Sequence, residues 1–317
     1  MATVQIIHPA SPILHPSPLF IAGPTATGKS EIALALAERI GGEIITVDSM
    51  QVYRGLDIGT AKPSAAERAR VAHHLLDVAE LTEAFDAAKF IALARAAESE
   101  IRARGHVPIF CGGTGLYFKA YLEGLGEAPA SDTILRAELE ASPLEQLLAE
   151  LHERDPETFA TIDQKNPRRV VRALEVIRLT GRPFSAQRAD WSQAARTTHC
   201  SFGISRPSGI LQCRVNARVD AMFERGLVNE TRQLLDRGLA RNPTAMQAIG
   251  YRQVAEHLRG ERSLEETVEL VKIRTRQFAK RQLTWFRKHA QLEWIEIAPE
   301  SSAEEMAGEI AARTQAA

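Results

Sequence analysis

The sequence predicts an α/β protein with a doubly wound parallel sheet and an all-helical domain inserted into it. Three observations support this fold class. Short apolar runs alternate with helical segments in the first third of the chain, which is typical of strand–helix–strand units. A glycine-rich loop separates the first apolar run from the first helix, and only helical segments occur between about 125 and 191.

The first part of the sheet is expected from three apolar runs, at 19–22, 43–47 and 107–110. Each run is short enough to be a buried parallel strand. Helices are predicted between them at 29–40 and 86–104. Gly41 and Gly42 end the first helix at the position where left-handed residues are favoured.

Helices alone are predicted in the following region, at 131–140, 143–154 and 168–180, closed by Gly181 and Pro183. A further strand at 201–204 would return the chain to the sheet. It would be followed by helices at 210–226, 229–237, 251–258 and 264–289, a late strand at 291–297 and an acidic helix after 299. The predicted domains are a Pro-broken extension at 1–18, the first part of the core at 19–124, the helical insertion at 125–195 and the second part of the core at 196–317.

Composition excludes several classes of protein. The 317 residues are 44% hydrophobic and 25% charged, as in ordinary globular proteins. The cysteines Cys111, Cys200 and Cys213 lie far apart, which argues against a disulfide framework or a zinc site and favours the reducing cytoplasm. No segment approaches the about 20 apolar residues of a membrane span, so a soluble protein is expected.

Charge is unevenly distributed although 39 Lys and Arg nearly balance 40 Asp and Glu. Residues 161–190 hold seven basic against three acidic residues, and 271–289 hold seven basic residues and no acidic one. On the predicted helix, Arg274, Arg281 and Lys288 share one face, while Phe278 and Trp285 share another and are predicted to lie in the core. The basic face is either simply solvated or a contact for nucleic-acid phosphates.

The glycine-rich loop matches the phosphate-loop motif G-x-x-x-x-G-K-[ST] between a predicted strand and a predicted helix. Its residues are Gly23, Pro24, Thr25, Ala26, Thr27, Gly28, Lys29 and Ser30. Backbone N–H groups of such a loop surround phosphate oxygens, the lysine reaches a terminal phosphate, and the Ser30 hydroxyl can bind Mg²⁺. The sequence therefore predicts a P-loop that binds a diphosphate or triphosphate.

Asp48 ends the second predicted strand, at the edge of the sheet where ligands bind in doubly wound folds. The strand at 107–110 ends in Cys111 and two glycines, without the carboxylate that an ATPase normally places there for Mg²⁺. From the local pattern Asp48 could cap the next turn, bind Mg²⁺ or act as a general base.

A series of motifs in this order resembles the tRNA dimethylallyltransferase family over about residues 19–297. They are the phosphate loop, Asp48-Ser49-Met50-Gln51-Val52-Tyr53, Asp57-Ile58-Gly59-Thr60-Ala61-Lys62-Pro63, His74-Leu75-Leu76-Asp77, Gly112-Gly113-Thr114-Gly115-Leu116-Tyr117, Arg168-Arg169, Ala248-Ile249-Gly250-Tyr251-Arg252, and Ala279-Lys280-Arg281-Gln282-Leu283-Thr284-Trp285-Phe286-Arg287. The resemblance implies transfer of a dimethylallyl group from dimethylallyl diphosphate to N6 of adenosine 37 in the tRNA anticodon loop. It also implies a monomer.

The resemblance implies roles for particular residues. Lys29 and Mg²⁺ at Ser30 would neutralise the departing diphosphate, Asp48 would accept a proton from the adenine amine, and Thr114 would lie near the reacting groups. Arg218, four residues after Arg214, is a further candidate for the diphosphate, with an ordinary surface cation as the alternative.

The resemblance also places tRNA contacts on several short segments. The expected contacts are Asp48, Ser49, Met50, Gln51, Thr114, Arg136, Arg168, Arg169, Val170, Val171, Arg172, Gln247, Ala248, Ile249, Gly250, Tyr251 and Arg252. From sequence alone Arg136 could equally be an exposed helix residue. Because the target adenine is stacked in its stem-loop, such an enzyme has to draw the base out.

Three other functions use some of the same features. A prenyltransferase acting on free adenine nucleotides would need neither the helical insertion nor the basic helix. A P-loop small-molecule kinase would use the same loop for ATP, and a non-catalytic RNA-binding module would not need an intact loop beside Asp48.

Overall fold

The computed structural model describes residues 17–187 and 200–315. The extension predicted at 1–18 lies outside the described residues, except for its last two. The chain forms two compact units, one comprising Met1–Tyr117 with Thr198–Ala317 and the other Phe118–Thr197. The second unit begins within a helix at Phe118 rather than at the predicted position 125, and its other boundary falls among residues that are not described.

The first unit contains a six-stranded sheet in which every pairing is parallel. Its strands are β1 (Leu19–Ala22), β2 (Gly42–Val47), β3 (His73–His74), β4 (Val107–Gly112), β5 (Cys200–Ser205) and β6 (Glu293–Glu296). Their order is β3-β2-β4-β1-β5-β6. In the register, Leu19 pairs with Ile109 on one side and with Cys200 on the other. The predicted fold class is confirmed.

The helices of the first unit lie before and after the helical insertion. They are α1 (Lys29–Ile40), α2 (Ala65–Arg70), α3 (Ala87–Ala103), α4 (Gly115–Glu123, which continues into the second unit), α9 (Ser208–Glu224), α10 (Leu227–Asp236), α11 (Tyr251–Leu258), α12 (Leu264–His289) and α13 (Ala303–Gln315). Helices α5 to α8 belong to the second unit. Short 3-10 turns occupy Leu239–Arg241 and Ala245–Gln247.

The two faces of the sheet bury alternate residues of each strand. Leu19 and Ile21 of β1 pack with α1 and α13 in one core. Phe20, between them, faces the other side and stacks on Phe110 of β4 at 4.8 Å between ring centroids. This alternation follows from the two-residue period of a strand, and burial on both faces explains the continuous apolar runs in the sequence.

The second unit is all-helical. Its helices are α5 (Thr133–Ala141), α6 (Leu144–Arg154), α7 (Pro156–Thr161) and α8 (Pro167–Thr180), with a 3-10 turn at Ser185–Gln187. Helix α8 is the central element: it packs against both α5 and α6, and Val170, Leu174 and Ile177 are buried among Leu139 and Leu151. The amphipathic pattern of α8 predicts this packing because its apolar residues recur every three to four positions.

Three α-helices and one strand were not predicted, and each lacks the long-range periodicity on which sequence prediction depends. Helices α2 and α7 are six residues long and β3 is two residues long. Strand β3 is defined by its pairing with β2, where His73 aligns with Ile44. Helix α4 begins at Gly115, in a glycine-rich stretch that the sequence presents as a turn.

A charged cluster surrounds Glu43 at the start of β2. The carboxylate accepts two hydrogen bonds from the Arg104 guanidinium at 2.9 and 2.8 Å, and lies 2.6 Å from a ring nitrogen of His74 and of His106. Hydrogen bonding to Arg104 lowers the pKa of Glu43 to about 2, against an ordinary value of 4.5. His74 is therefore part of a structural cluster.

We expect acid to destabilise the first unit through this cluster. Because the pKa of Glu43 is depressed in the folded state, its stabilising contribution is present above the unfolded pKa and is lost as pH falls from about 4.5 to about 2. The contribution is on the order of 3 kcal/mol. Urea unfolding between pH 7 and pH 3 should show less pH dependence in Glu43→Gln than in the wild type. The control Glu38→Gln removes an exposed partner of Arg70 and should leave the pH dependence nearly unchanged.

No helix in the described residues combines the length and the apolarity that a membrane span requires.

Candidate active site

A cavity of about 620 Å³ opens at the carboxyl ends of the central strands in the first unit. This is the edge where ligands bind in doubly wound sheets. Its wall combines polar groups with an apolar portion. The polar lining includes Thr25, Lys29, Ser30, Asp48, Gln51, Thr114, Arg218 and Gln282, and the apolar lining includes Leu34, Met222, Ile249, Val271 and Phe278. The cavity wall thus offers both charged and apolar groups to a ligand.

The phosphate loop between β1 and α1 has the conformation that the motif requires. Gly28, at the N-terminus of α1, has φ 96°, in the left-handed region that favours glycine. A Cβ on Gly23 would lie 2.4 Å from the carbonyl oxygen of Ile204, so only glycine fits beside β5. Within the loop, the Thr27 hydroxyl donates to the carbonyl of Pro24 at 3.0 Å.

Two arginines that the sequence analysis did not assign to the site support the loop. Arg206 Nε donates to the carbonyl of Thr27 at 2.8 Å, and Arg214 Nε donates to the carbonyl of Ala26 at 2.9 Å. These bonds hold two loop carbonyls from sequence distances of 179 and 188 residues. No local pattern marks such contacts. The sequence analysis named Arg214 only because it lies four residues before Arg218.

Lys29 and Ser30 begin α1 and face the cavity. Lys29 Nζ donates to the carbonyl of Pro24 at 3.1 Å. Burial lowers the pKa of Lys29, with Arg218 acting in the same direction and Asp48 opposing it. Cys111, beside Lys29, is buried, and burial raises the pKa of its thiol to about 11, so it is neutral at physiological pH. An anion would relieve the unfavourable burial of the Lys29 charge.

Asp48 follows β2 and uses one carboxylate oxygen to cap the turn. Oδ1 accepts N–H groups of Met50 at 2.8 Å and Gln51 at 3.2 Å. Oδ2 forms no hydrogen bond with any other described residue and belongs to a side chain that lines the cavity. The local interpretation as a turn cap and the interpretation as a proton acceptor are therefore compatible, because each uses a different oxygen.

Thr114 stands beside this turn. Its Oγ1 accepts the backbone N–H of Ser49 at 3.0 Å, which joins the end of β4 to the residue after Asp48. The structure thus brings Lys29, Asp48 and Thr114 to one cavity from three different strand ends.

Arg218 lies on α9 and lines the same cavity. Burial lowers its pKa, whereas the nearby Asp48 and Glu31 carboxylates oppose that shift. Its guanidinium makes no hydrogen bond or ion pair with another residue in the described ranges. A partly buried cation of this kind needs a negative partner, which an anionic ligand would supply.

The segment 59–63 lines the cavity next to Gln51, whose Nε2 donates to the Thr60 carbonyl at 3.0 Å. Lys62 is buried and donates to the Tyr53 carbonyl at 2.6 Å, to Asp57 at 2.8 Å and to Asp77 at 2.5 Å. Tyr251 donates to Glu230 at 2.6 Å and accepts the N–H of Gly59 at 3.0 Å. The charged and aromatic residues of these motifs therefore hold in place the segment that lines the cavity.

The residues expected to contact RNA at 247–252 divide by exposure. Gln247, Ala248 and Ile249 line the cavity, and Arg252 is exposed. Tyr251 is fully buried, with its hydroxyl bound to Glu230, and Gly250 is buried as well. The Tyr251 side chain consequently positions the neighbouring segment and does not present a surface to RNA.

In the helical unit, Arg136 and Arg172 share one buried carboxylate. Both guanidiniums lie 2.6 Å from Oε2 of Glu175, whose side chain has no exposed surface. Arg136 remains 36% exposed and Arg172 32%. These two arginines are thus held by Glu175 and remain partly exposed to solvent. Arg136 therefore differs from an exposed helix residue that has no buried partner.

The residues of α8 that were expected to contact RNA differ in exposure. Arg168 and Arg169 are exposed at the start of the helix. Val170 and Val171 are 0% and 3% exposed and pack in the helical core. The expectation that these two valines contact RNA is not met by their side chains, because the helical period turns them inward.

Helix α12 presents the basic face that the sequence predicts. Arg274, Arg281 and Lys288 are exposed, as is Lys280. None of the four forms an ion pair with another residue in the described part of the chain. Lys280, Arg281 and Lys288 border a groove with Trp285 and His289. The charges are therefore available to an external partner.

The prediction that Phe278 lies in the core is wrong. Its side chain is 38% exposed and lines the cavity. Trp285, one heptad later, is half-buried over Gly115, where a Cβ would lie 2.1 Å from the indole ring. The same face of α12 thus packs on the start of α4 at Trp285 and borders the cavity at Phe278.

The donor set near the phosphate loop suits Mg²⁺ that arrives with a diphosphate. Among the described residues no group of three or more His, Cys, Asp or Glu side chains could hold a metal ion alone. The hydroxyl-bearing Ser30 is exposed and lines the cavity together with Asp48. Mg²⁺ commonly takes one or two protein oxygens and completes its shell with phosphate oxygens and water.

The comparisons with known proteins identify the family of the chain. A family model for IPP transferase matches residues 51–289. The tRNA dimethylallyltransferase 1 of Trichlorobacter lovleyi is 47% identical over 295 residues, covering 92% of this chain and 96% of that protein. The tRNA dimethylallyltransferase of Geobacter metallireducens is 47% identical over 283 residues, covering 88% and 92%.

Solved structures show the same likeness. The full-length tRNA isopentenylpyrophosphate transferase of Bacillus halodurans has 39% identity and a TM-score of 0.68, covering 95% of this chain and 97% of its own. A eukaryotic dimethylallyltransferase acting on tRNA has 27% identity and a TM-score of 0.76, covering 93% and 77%. On the family match and on these identities and coverages, the chain belongs to the IPP transferase family, whose curated relatives are tRNA dimethylallyltransferases.

Proposed function

We propose that this protein transfers a dimethylallyl group from dimethylallyl diphosphate to N6 of adenosine 37 in the tRNA anticodon loop. The observation that carries the proposal is the convergence of a phosphate loop and the Asp48 carboxylate on one partly apolar cavity. A diphosphate, a five-carbon chain and an amine each find a matching part of its wall. The names of the relatives support tRNA as the acceptor.

Loss of diphosphate requires charge stabilisation on the leaving group. As the C1–O bond breaks, two electrons pass to the diphosphate oxygen, and the cations Lys29 and Arg218 face the cavity where that charge develops. The N–H groups at the start of α1 act in the same direction. Mg²⁺, held by the Ser30 hydroxyl and phosphate oxygens, would supply further positive charge when bound.

The acceptor amine needs a base because its lone pair is delocalised into the adenine ring. As N6 forms its bond to C1, it loses a proton, and Oδ2 of Asp48 is the acceptor of that proton. The turn bonds to Oδ1 fix the direction of the carboxylate. The products are the N6-dimethylallyl adenosine and diphosphate.

We assign RNA binding to exposed and partly exposed cations of the two units. These are Arg274, Lys280, Arg281 and Lys288 on α12 and, in the helical unit, Arg136, Arg168, Arg169 and Arg172, with Arg252 and the cavity-lining Gln247, Ala248 and Ile249 nearer the base. The enzyme would act in the cytoplasm as a monomer. The three free cysteines are compatible with a reducing compartment.

One assay tests the function. Labelled dimethylallyl diphosphate is incubated with the protein and with unmodified tRNA, free AMP or no acceptor. Label in the tRNA supports the proposal, and label in AMP alone would identify an adenylate prenyltransferase instead. ATP-dependent phosphorylation without use of the prenyl diphosphate would identify a small-molecule kinase.

Arg218→Gln should weaken binding of inorganic diphosphate by about tenfold or more, since it removes the cation of a charge-assisted contact. Isothermal titration calorimetry measures this directly. The control is Arg232→Gln, which removes an exposed charge from α10. Equal affinity in Arg218→Gln and the wild type would remove Arg218 from the diphosphate site.

Binding of an anticodon stem-loop should weaken steeply with salt, since protein cations that bind phosphates release counterions. Replacing both Arg281 and Lys288 with alanine should lower the slope of log K against log salt by about 0.7 to 0.9 for each phosphate that is no longer neutralised. Fluorescence anisotropy at several salt concentrations measures the slope. Arg95→Ala, an exposed position on α3, is the control for net charge. A slope unaltered by the double substitution would exclude these two residues as phosphate ligands.

A further inference from the structure

Gln282 is a buried polar residue of α12 to which the proposed mechanism gives no role. It is 8% exposed and its side chain enters the wall of the cavity. Its carboxamide makes one hydrogen bond in each direction. Oε1 accepts the N–H of Thr25 at 2.9 Å, and Nε2 donates to the carbonyl of Gly113 at 2.8 Å. One side chain thus joins the phosphate loop to the turn after β4.

The bond to Thr25 acts on a peptide group that also holds Lys29. The Pro24–Thr25 peptide presents its N–H to Gln282 and its carbonyl to Lys29 Nζ at 3.1 Å. The two groups belong to one rigid plane, so a rotation of this plane moves both contacts together. Gln282 therefore fixes the orientation of the carbonyl that positions the lysine ammonium.

The bond to Gly113 connects Gln282 with the part of the site that contains Asp48. A Cβ on Gly113 would lie 2.3 Å from Nε2 of Gln282, so glycine is needed for the carboxamide to approach. The next residue, Thr114, accepts the N–H of Ser49 at 3.0 Å, and Ser49 adjoins Asp48. Gln282 consequently connects the lysine that faces the diphosphate with the turn that carries the base.

We propose that Gln282 is a positioning residue of the prenyl transfer, holding the phosphate loop and the Gly113–Thr114 turn at a fixed separation. This inference rests on the proposed function. A carboxamide is suited to the task because it donates and accepts at once, whereas a carboxylate only accepts. The geometry of Lys29 relative to Asp48 depends on both bonds.

Gln282→Met tests the bridge by removing both hydrogen bonds at similar volume. We expect kcat/KM for dimethylallyl diphosphate to fall by about 10- to 100-fold. The affinity for an anticodon stem-loop should stay within about twofold of the wild type, since the exposed cations of α12 are unchanged. Thermal unfolding by circular dichroism checks that the variant is folded.

Gln282→Glu tests the direction of the bonds. The carboxylate can accept from Thr25 but repels the Gly113 carbonyl, while the protonated acid can donate to it. The rate relative to the wild type should therefore rise as pH is lowered from 8 to 6. A merely structural role has no such pH dependence. Gln233→Glu, at an exposed position on α10, is the matched control and should follow the wild type at every pH.

The outcomes separate the two proposals. If the wild-type protein transfers no prenyl group to tRNA, the proposed function fails. If it transfers normally and Gln282→Met retains wild-type kcat/KM, the positioning role is overturned. A rate ratio for Gln282→Glu that is constant with pH overturns it as well, and this readout decides the matter if Gln282→Met is too unstable to assay.

Discussion

Replacing Asp48 with asparagine should slow prenyl transfer by about 100- to 10,000-fold, the range over which a positioned general base contributes. The substitution removes the proton acceptor but keeps an oxygen for the N–H groups of Met50 and Gln51. The turn is therefore retained and the fall in activity reports on proton transfer. Single-turnover assays with labelled dimethylallyl diphosphate and tRNA measure the rate.

Binding measurements complete this test. Inorganic diphosphate should bind Asp48→Asn at least as tightly as the wild type, because removal of a negative charge near Lys29 and Arg218 does not weaken their attraction for an anion. Asp86→Asn is the matched control, since Asp86 also caps a backbone N–H, that of Lys89 at the start of α3. Transfer at the wild-type rate in Asp48→Asn would refute the base role.

Replacing Lys29 with methionine should lower kcat/KM for dimethylallyl diphosphate by about 100- to 1,000-fold, the effect of removing a preorganised group that stabilises developing charge. Methionine keeps most of the volume of the stem and removes only the ammonium. Diphosphate affinity should fall as well, because Lys29 lines the cavity and would attract the bound diphosphate before any bond breaks. Steady-state kinetics and calorimetry with inorganic diphosphate measure the two effects.

Lys89→Met is the control that separates the effect of Lys29 in the cavity from the general effect of replacing a lysine. Lys89 is exposed on α3 and donates to the carbonyl of Ala84 at 3.0 Å, so it too is a lysine bound to a carbonyl of its own loop. Its substitution should leave transfer unchanged. Full activity in Lys29→Met would show that the phosphate loop does not hold the leaving group.

The phosphate loop shows how far local pattern determines structure. Strand β1 at Leu19–Ala22 and helix α1 at Lys29–Ile40 have the predicted bounds. Each rests on local features: a short apolar run in one case, and glycines on both sides of a periodic helix in the other. Helix α12 also has the predicted bounds, Leu264–His289, and its start is marked locally because Ser263 caps it through the N–H of Glu266.

The supports of the site were not predictable in this way. Arg206, Arg214 and Gln282 reach the phosphate loop from 179 to 257 residues away. Their role depends on which strands are neighbours, and the order β3-β2-β4-β1-β5-β6 is a tertiary result. A glutamine in a basic helix carries no local sign that its carboxamide will face a loop near the other end of the chain.

The charge distribution is a case in which sequence and structure each decide a part. The sequence by itself determined that the basic residues concentrate in 161–190 and 271–289, because composition along a chain needs no coordinates. Only the tertiary structure decided which of these charges are free. Lys272 pairs with Asp220 at 2.8 Å, and Arg172 is anchored on Glu175, whereas Arg281 and Lys288 remain exposed.

The same division applies to the site as a whole. The sequence determined the local elements and the residue types that can bind a diphosphate or accept a proton. The tertiary structure decided that Lys29, Asp48, Thr114 and Arg218 line one cavity, that Phe278 borders it, and that Val170 and Val171 are buried elsewhere. The physical reason is that helix and turn signals act over a few residues, whereas burial and distance depend on how distant segments pack.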